Sequence, residues 1–209
     1  MDTTVLAGHM LALHIASKVL QDAPDATFLS QAHEQGLFSE WPIQPRSGEG
    51  ASALEALKRM FQTKQGDAAA IRQDHMALFS GPTPIARPWE SVWREREKLL
   101  FGEQTMLVRN AYVQWGIVNQ EYGQEPEDHL GLELAFCVFL LDKMLNRNDE
   151  TAAAALRAFL DDHVLQWAEP CLREASENAS EEFYRHMPLL SLDAVNSLRE
   201  ALGPEKKPE

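Results

Sequence analysis

The sequence predicts an all-α fold, a single-domain helical bundle around a central buried helix, and three observations carry that expectation. Apolar residues recur at three- and four-residue intervals along most of the 209 residues. No run of alternating β-branched residues bounded by turns is present, and Val and Ile are sparse. One stretch, residues 127–147, is apolar on nearly every face, as a helix wrapped by others must be. No Gly/Ser tract divides the chain, so one domain over residues 1–202 is expected, with 203–209 a loose tail.

Residues 3–21 place Val5, Leu6, His9, Leu13, Val19 and Leu20 at helical spacings, and 25–38 repeat the pattern more weakly with Phe28, Leu29, Ala32 and Leu37. Two helices packed together are expected. Two prolines and two glycines make Trp41 to Gly50 a loop. Helices over 52–64 and 67–79 follow, joined through Gln65-Gly66. Gly81-Pro82 ends the second of these, and Pro82, Pro84 and Pro88 hold the next connection extended and stiff. It carries Trp89 and Trp93. Aromatics on a preordered backbone make a recognition surface, because little entropy is lost on binding; the competing reading is that both plug the core beneath.

Arg94-Glu95-Arg96-Glu97-Lys98 alternates in sign and reads as a solvated helical face. Residues 105–118 are again amphipathic. The central helix is expected to begin near Glu127, behind Pro126, because carboxylates in a first turn meet the unpaired amides and the positive end of the macrodipole. Asp128 and His129 sit in that turn, and Glu133 shares a face with His129. Its uninterrupted apolar run, Leu134 to Leu141, falls far short of the roughly 20 residues a bilayer span needs. A helix over 150–167, with Ala154, Leu156, Phe159, Leu160, Val164 and Trp167 as its apolar set, is ended by Pro170. Residues 180–202 close the chain, broken or kinked at Pro188.

The net charge is −13, of which −11 falls in residues 101–209. Such a field repels nucleic acid and anionic lipid and favours a cationic partner, while also serving solubility. The acidic start, Met1-Asp2-Thr3-Thr4, is unlike a secretory signal, so a cytoplasmic protein with no stable membrane insertion is expected. Cys137 and Cys171 form no CxxC and read as buried packing residues.

Phosphate loop, dinucleotide fingerprint, nucleophile elbow and HExxH are all absent, and none of the seven histidines has a glutamate three positions before it, which a carboxylate di-iron bundle requires. No cofactor is expected. What remains is an improvised metal site from Asp128, His129 and Glu133, joined by Asp161-Asp162-His163. The corresponding alternative is a metal-dependent or nucleotide hydrolase.

Glu125-Pro126-Glu127-Asp128-His129-Leu130-Gly131-Leu132-Glu133-Leu134-Ala135-Phe136 resembles the E-P-x-D-H-x-x-x-E-L-x-F signature of the TorD/DmsD family of molybdoenzyme maturation chaperones. Leu78-Phe79-Ser80-Gly81-Pro82, Pro88-Trp89-Glu90-Ser91-Val92-Trp93 and Phe159-Leu160-Asp161-Asp162-His163-Val164-Leu165-Gln166-Trp167 are similar to three more of its segments, in the same order, and residues 88–102 look closer to the DmsD branch. Cys137 stands where the family often has Met. The resemblance implies a cytoplasmic, non-enzymatic, all-helical chaperone. It would bind the twin-arginine signal peptide of a molybdopterin-containing, dimethyl-sulfoxide-type reductase and delay export until the cofactor is inserted, with the Tat translocase a further contact. The peptide-binding positions it implies are Gly81, Pro88, Trp89, Asp128 and His129. Glu133 joins them on the residues' own chemistry, because Asp128 and Glu133, with Glu125 and Glu127 nearby, offer carboxylates to two guanidiniums.

Overall fold

The computed structural model describes residues 2–63, 66–118, 125–147 and 149–204. These form helices α1 (Thr3–Gln21), α2 (Ala26–Glu34), α3 (Gly48–Thr63), α4 (Ala68–His75), α5 (Glu90–Arg94), α6 (Glu103–Gln114), α7 (Leu130–Arg147), α8 (Glu150–Phe159), α9 (Leu165–Asn178) and α10 (Glu182–Leu202). Two π-helical turns, Met76–Ser80 and Leu160–Val164, continue α4 and α8. Among the described residues there is no strand, so the chain is all-α as expected.

Side-chain caps set many of the starts. Asp2, Asp25, Asp67 and Asp149 each accept from backbone amides of the following first turn, which otherwise have no partner. The α10 start is served from a distance: the Asp74 carboxylate of α4 accepts from the amides of Ser180 and Glu181 at 3.0 and 2.9 Å.

α7 lies between α1 and α8, and α10 packs on α1, α3 and α9. Leu134, Cys137, Leu140 and Leu141 of α7 are fully buried. Among its described side chains none before Asn146 is exposed, so the expectation of a wrapped helix holds. α1 is long and apolar enough to cross a membrane, yet half of it is buried in the protein. Its Ser17 hydroxyl donates to the Gly131 carbonyl of α7 at 2.8 Å. A Cβ on Gly131 would stand 2.6 Å from Gln21 Cγ and 3.0 Å from the Ser17 carbonyl, so glycine is what lets α1 and α7 approach so closely. Cys137 and Cys171 are both free and buried.

Several boundaries differ from the sequence reading. Pro170 does not end a helix: α9 runs through it to Asn178. The residue faces solvent, where water satisfies the carbonyl that loses its partner, while Cys171, Leu172 and Ala175 hold the next turns on the core. Pro188 likewise sits inside an unbroken α10. α3 starts at Gly48, inside the expected loop, because Ser47 Oγ accepts from the Gly50 amide while Asp193 of α10 accepts from Ser47. α2 packs on α3. Ala154 faces solvent, and Ala152 and Ala153 are buried instead.

Residues 95–98 are not a helical face, since α5 stops at Arg94. Lys98 and Phe101 then adopt left-handed backbone angles, φ 52° and 60°, which leave Leu99, Leu100 and Phe101 exposed. Of the expected junction, Gln65 lies outside the described residues, as do 205–209 of the expected tail.

Candidate functional site

The connection after Gly81 folds back on its own π-helical turn: the amides of Ile85 and Ala86 donate to the carbonyls of Ala77 and Leu78 at 3.1 and 2.9 Å. Its far end then pairs with the start of α7. The Leu130 amide donates to the Pro88 carbonyl at 2.8 Å and the Glu90 amide to the Asp128 carbonyl at 3.0 Å, which frames an isolated antiparallel bridge between Trp89 and His129. This pairing is why α7 begins at Leu130 and not near Glu127: residues 88–90 hold the backbone groups of 128 and 130 in bridge geometry. The two rings meet edge to face, centroids 6.1 Å apart and planes at 80°. Trp89 Nε1 donates to Glu125 Oε1 at 2.7 Å.

Beneath the bridge lies a buried polar layer. Asp128 is fully buried, and its two carboxylate oxygens accept from the Ser91 amide at 2.7 Å and the Thr105 hydroxyl at 2.8 Å. Burial pushes its pKa up, and these hydrogen bonds oppose the rise. Glu90, also fully buried, holds Arg94 and, at 2.9 Å, His163 Nδ1. Glu133 accepts from Trp167 Nε1 at 3.2 Å through one oxygen and has its other oxygen buried without a protein donor. Burial above all, then the charges of Glu90 and Asp128, lift the Glu133 pKa well above the carboxylate range. The shift favours the protonated form of Glu133 over the carboxylate, as expected for a second acid buried beside Glu90 and Asp128.

Above this layer opens a cleft of about 440 Å³, lined by Asp22, Tyr112, Ile117, Glu125, His129 and Leu132 among others. Glu127 also borders it, but Arg109 grips its carboxylate with two bonds of 2.9 and 2.8 Å. His129 Nδ1 accepts from the Gly131 amide at 3.0 Å, so the ring is the Nε2–H tautomer. Burial, and after it the charge of His75, lower its pKa to about 3, so it stays uncharged at neutral pH.

The six expected site residues thus divide. Trp89 and His129 come together at the cleft, and Pro88 is buried directly behind them. The Asp128 and Glu133 carboxylates turn inward, one towards α5 and α6 and the other towards α9. Gly81 stands at the other end of the connection, where its amide closes the π-helical turn on the Met76 carbonyl and a Cβ would meet only Met76. Asp22 of the cleft had no motif to point to it: it is contiguous with α1, more than a hundred residues from the signature. Asp128, His129 and Glu133 do not converge, Asp161 is paired with Arg199, and among the described residues no group of three or more His, Cys, Asp or Glu side chains is placed to hold a metal ion.

A family model described as nitrate reductase delta subunit matches residues 45–173, more than half of the chain. The chain is 32% identical over 126 residues to the probable Tat proofreading chaperone DmsD of Haemophilus influenzae, covering 60% of this chain and 58% of that one. It is 29% identical over 148 residues to the Tat proofreading chaperone DmsD of Salmonella typhi, covering 70% and 65%. Against the chaperone protein TorD of Vibrio cholerae the identity is 31% over 147 residues, covering 68% and 62%. The match spans about three fifths of the length of these curated relatives.

Proposed function

Because this chain belongs to the TorD/DmsD family of molybdoenzyme maturation chaperones, we propose that it is a cytoplasmic chaperone, not a catalyst. Its helical domain, residues 1–202, binds the twin-arginine signal peptide of a dimethyl-sulfoxide-type reductase and delays export until the cofactor is in place. The observation that carries this reading is the Trp89–His129 bridge at the mouth of an acidic cleft. A rigid aromatic, a neutral imidazole and uncompensated carboxylates suit a segment that is cationic at one end and apolar beyond it. Trp89 and His129 form the binding surface, with Pro88 holding them from behind. Asp128 acts from below by holding the starts of α5 and α6, Glu133 by tying α7 to α9 through Trp167, and Gly81 sets the path of the connection.

The hydrolase alternative is not favoured, since its three supporting side chains face different partners. Titration calorimetry with a synthetic twin-arginine signal peptide tests the reading. Binding that weakens on Trp89→Ala, with helical content intact, supports it; absence of binding by the unaltered protein overturns it.

A further inference from the structure

Among the described residues three acidic side chains border the cleft, and they are not equivalent. Glu127 is neutralised by Arg109. Glu125 spends one oxygen on the Trp89 indole and keeps the other. Asp22, exposed at the C-terminal end of α1, offers its whole carboxylate, and its own amide closes the helix on the Lys18 carbonyl. The negative end of the α1 dipole therefore adds to the field there. His129 is 7% exposed, and among the described residues its Nε2–H, which borders the cleft, meets no acceptor. An uncharged donor facing a cleft suits a main-chain carbonyl and leaves the carboxylates' charge uncancelled. Among the described residues, neither Asp22 nor Glu125 meets a cation, and the two stand on elements far apart in sequence.

We propose that Asp22 and Glu125 form a dication site in which each carboxylate takes one guanidinium of a paired-arginine segment, with His129 Nε2–H on a carbonyl of the same segment. This rests on the signal-peptide reading above and adds to it the residue, Asp22, that makes the site selective for two adjacent arginines. Arginine is favoured over lysine because a planar fork engages a carboxylate with two bonds.

The test is calorimetry on the full chain with a peptide carrying Arg-Arg before a leucine-rich segment, and with its Lys-Arg, Arg-Lys and Lys-Lys versions. Asp22→Asn and Glu125→Gln are each expected to weaken the Arg-Arg peptide by about five- to tenfold, the loss of one charge-assisted contact. The double variant is expected to lose the product of the two, because the carboxylates serve separate guanidiniums. Each single variant is also expected to bind one of the mixed peptides as well as the unaltered protein does, since the missing carboxylate and the missing guanidinium are partners. Unchanged affinity on Asp22→Asn overturns the inference, as does a double variant no weaker than either single one, which would place both carboxylates on one guanidinium. Should the unaltered protein bind none of the peptides, the underlying reading fails instead, so the two failures are distinct. Asp22 is exposed and Glu125 half-buried, and thermal melts of each variant confirm that the fold is kept.

Discussion

Trp89 Nε1 donates to Glu125 Oε1 at 2.7 Å, which ties the aromatic wall of the cleft to one of the two carboxylates there that meet no cation among the described residues. That bond also holds the Glu125 pKa down against burial, the larger influence, which raises it. Trp89→Phe keeps a ring against His129 and removes the donor. It is expected to weaken a twin-arginine peptide by a few-fold, and Trp89→Ala by tenfold or more, since the alanine also loses the buried ring face. Equal losses in calorimetry would mean that the indole N–H alone matters.

Asp128→Asn is expected to lower stability by about 1–3 kcal/mol, read as a shift of the urea midpoint. Both Asp128 oxygens accept hydrogen bonds in a buried setting, and an asparagine that keeps its oxygen on the Ser91 amide must turn its amide nitrogen to the Thr105 hydroxyl, which then has to accept, so two bonds to a carboxylate become weaker bonds to an amide. A midpoint unchanged from the parent would show that the inward-facing network is dispensable.

Stability should fall as the pH is lowered below about 6.5. His129, with its pKa about 3 when folded, stays neutral while the unfolded chain takes up a proton below about 6.5. Stability therefore falls as pH drops from about 6.5 towards 3, and His9 and His75, also lowered by burial, act in the same sense. Glu133, Asp128 and Glu125 work oppositely: burial raises each above its ordinary carboxyl range, so each favours the fold at low pH and offsets part of the histidines' effect. Urea midpoints between pH 4 and 7 check this, and Glu133→Gln should steepen the fall, because it removes a group that opposes it.

Gly131→Ala should destabilise by about 1–3 kcal/mol, because its methyl meets the Ser17 carbonyl and the Gln21 side chain where α1 crosses α7. Removing the Gln21 obstruction with Gln21→Ala should recover part of the loss in thermal melts, since the Ser17 backbone contact remains.

The sequence disclosed the helices, the buried course of α7 and the proximity of Trp89 to His129, because periodic apolar residues and two stiff, motif-bearing segments carry local signals. It could not disclose which way a carboxylate points. Asp128 and Glu133 turn inward because Ser91, Thr105 and Trp167 wait there, and those partners come from three other helices. Asp22 belongs to the cleft only because α1 packs on α7. Pro170 misled for a related reason: its effect depends on whether its face of the helix is wet, which is a property of the packed bundle.

The left-handed pair Lys98 and Phe101 has a colloidal consequence. By turning Leu99, Leu100 and Phe101 outward they give the molecule an adhesive tip, and what keeps two such tips apart in dilute buffer is the mutual repulsion of bodies carrying thirteen excess negative charges. Ionic strength shortens the reach of that repulsion, so concentrated stocks should stay clear at low salt and cluster reversibly as salt is added, with Leu100→Ser restoring monodisperse light scattering.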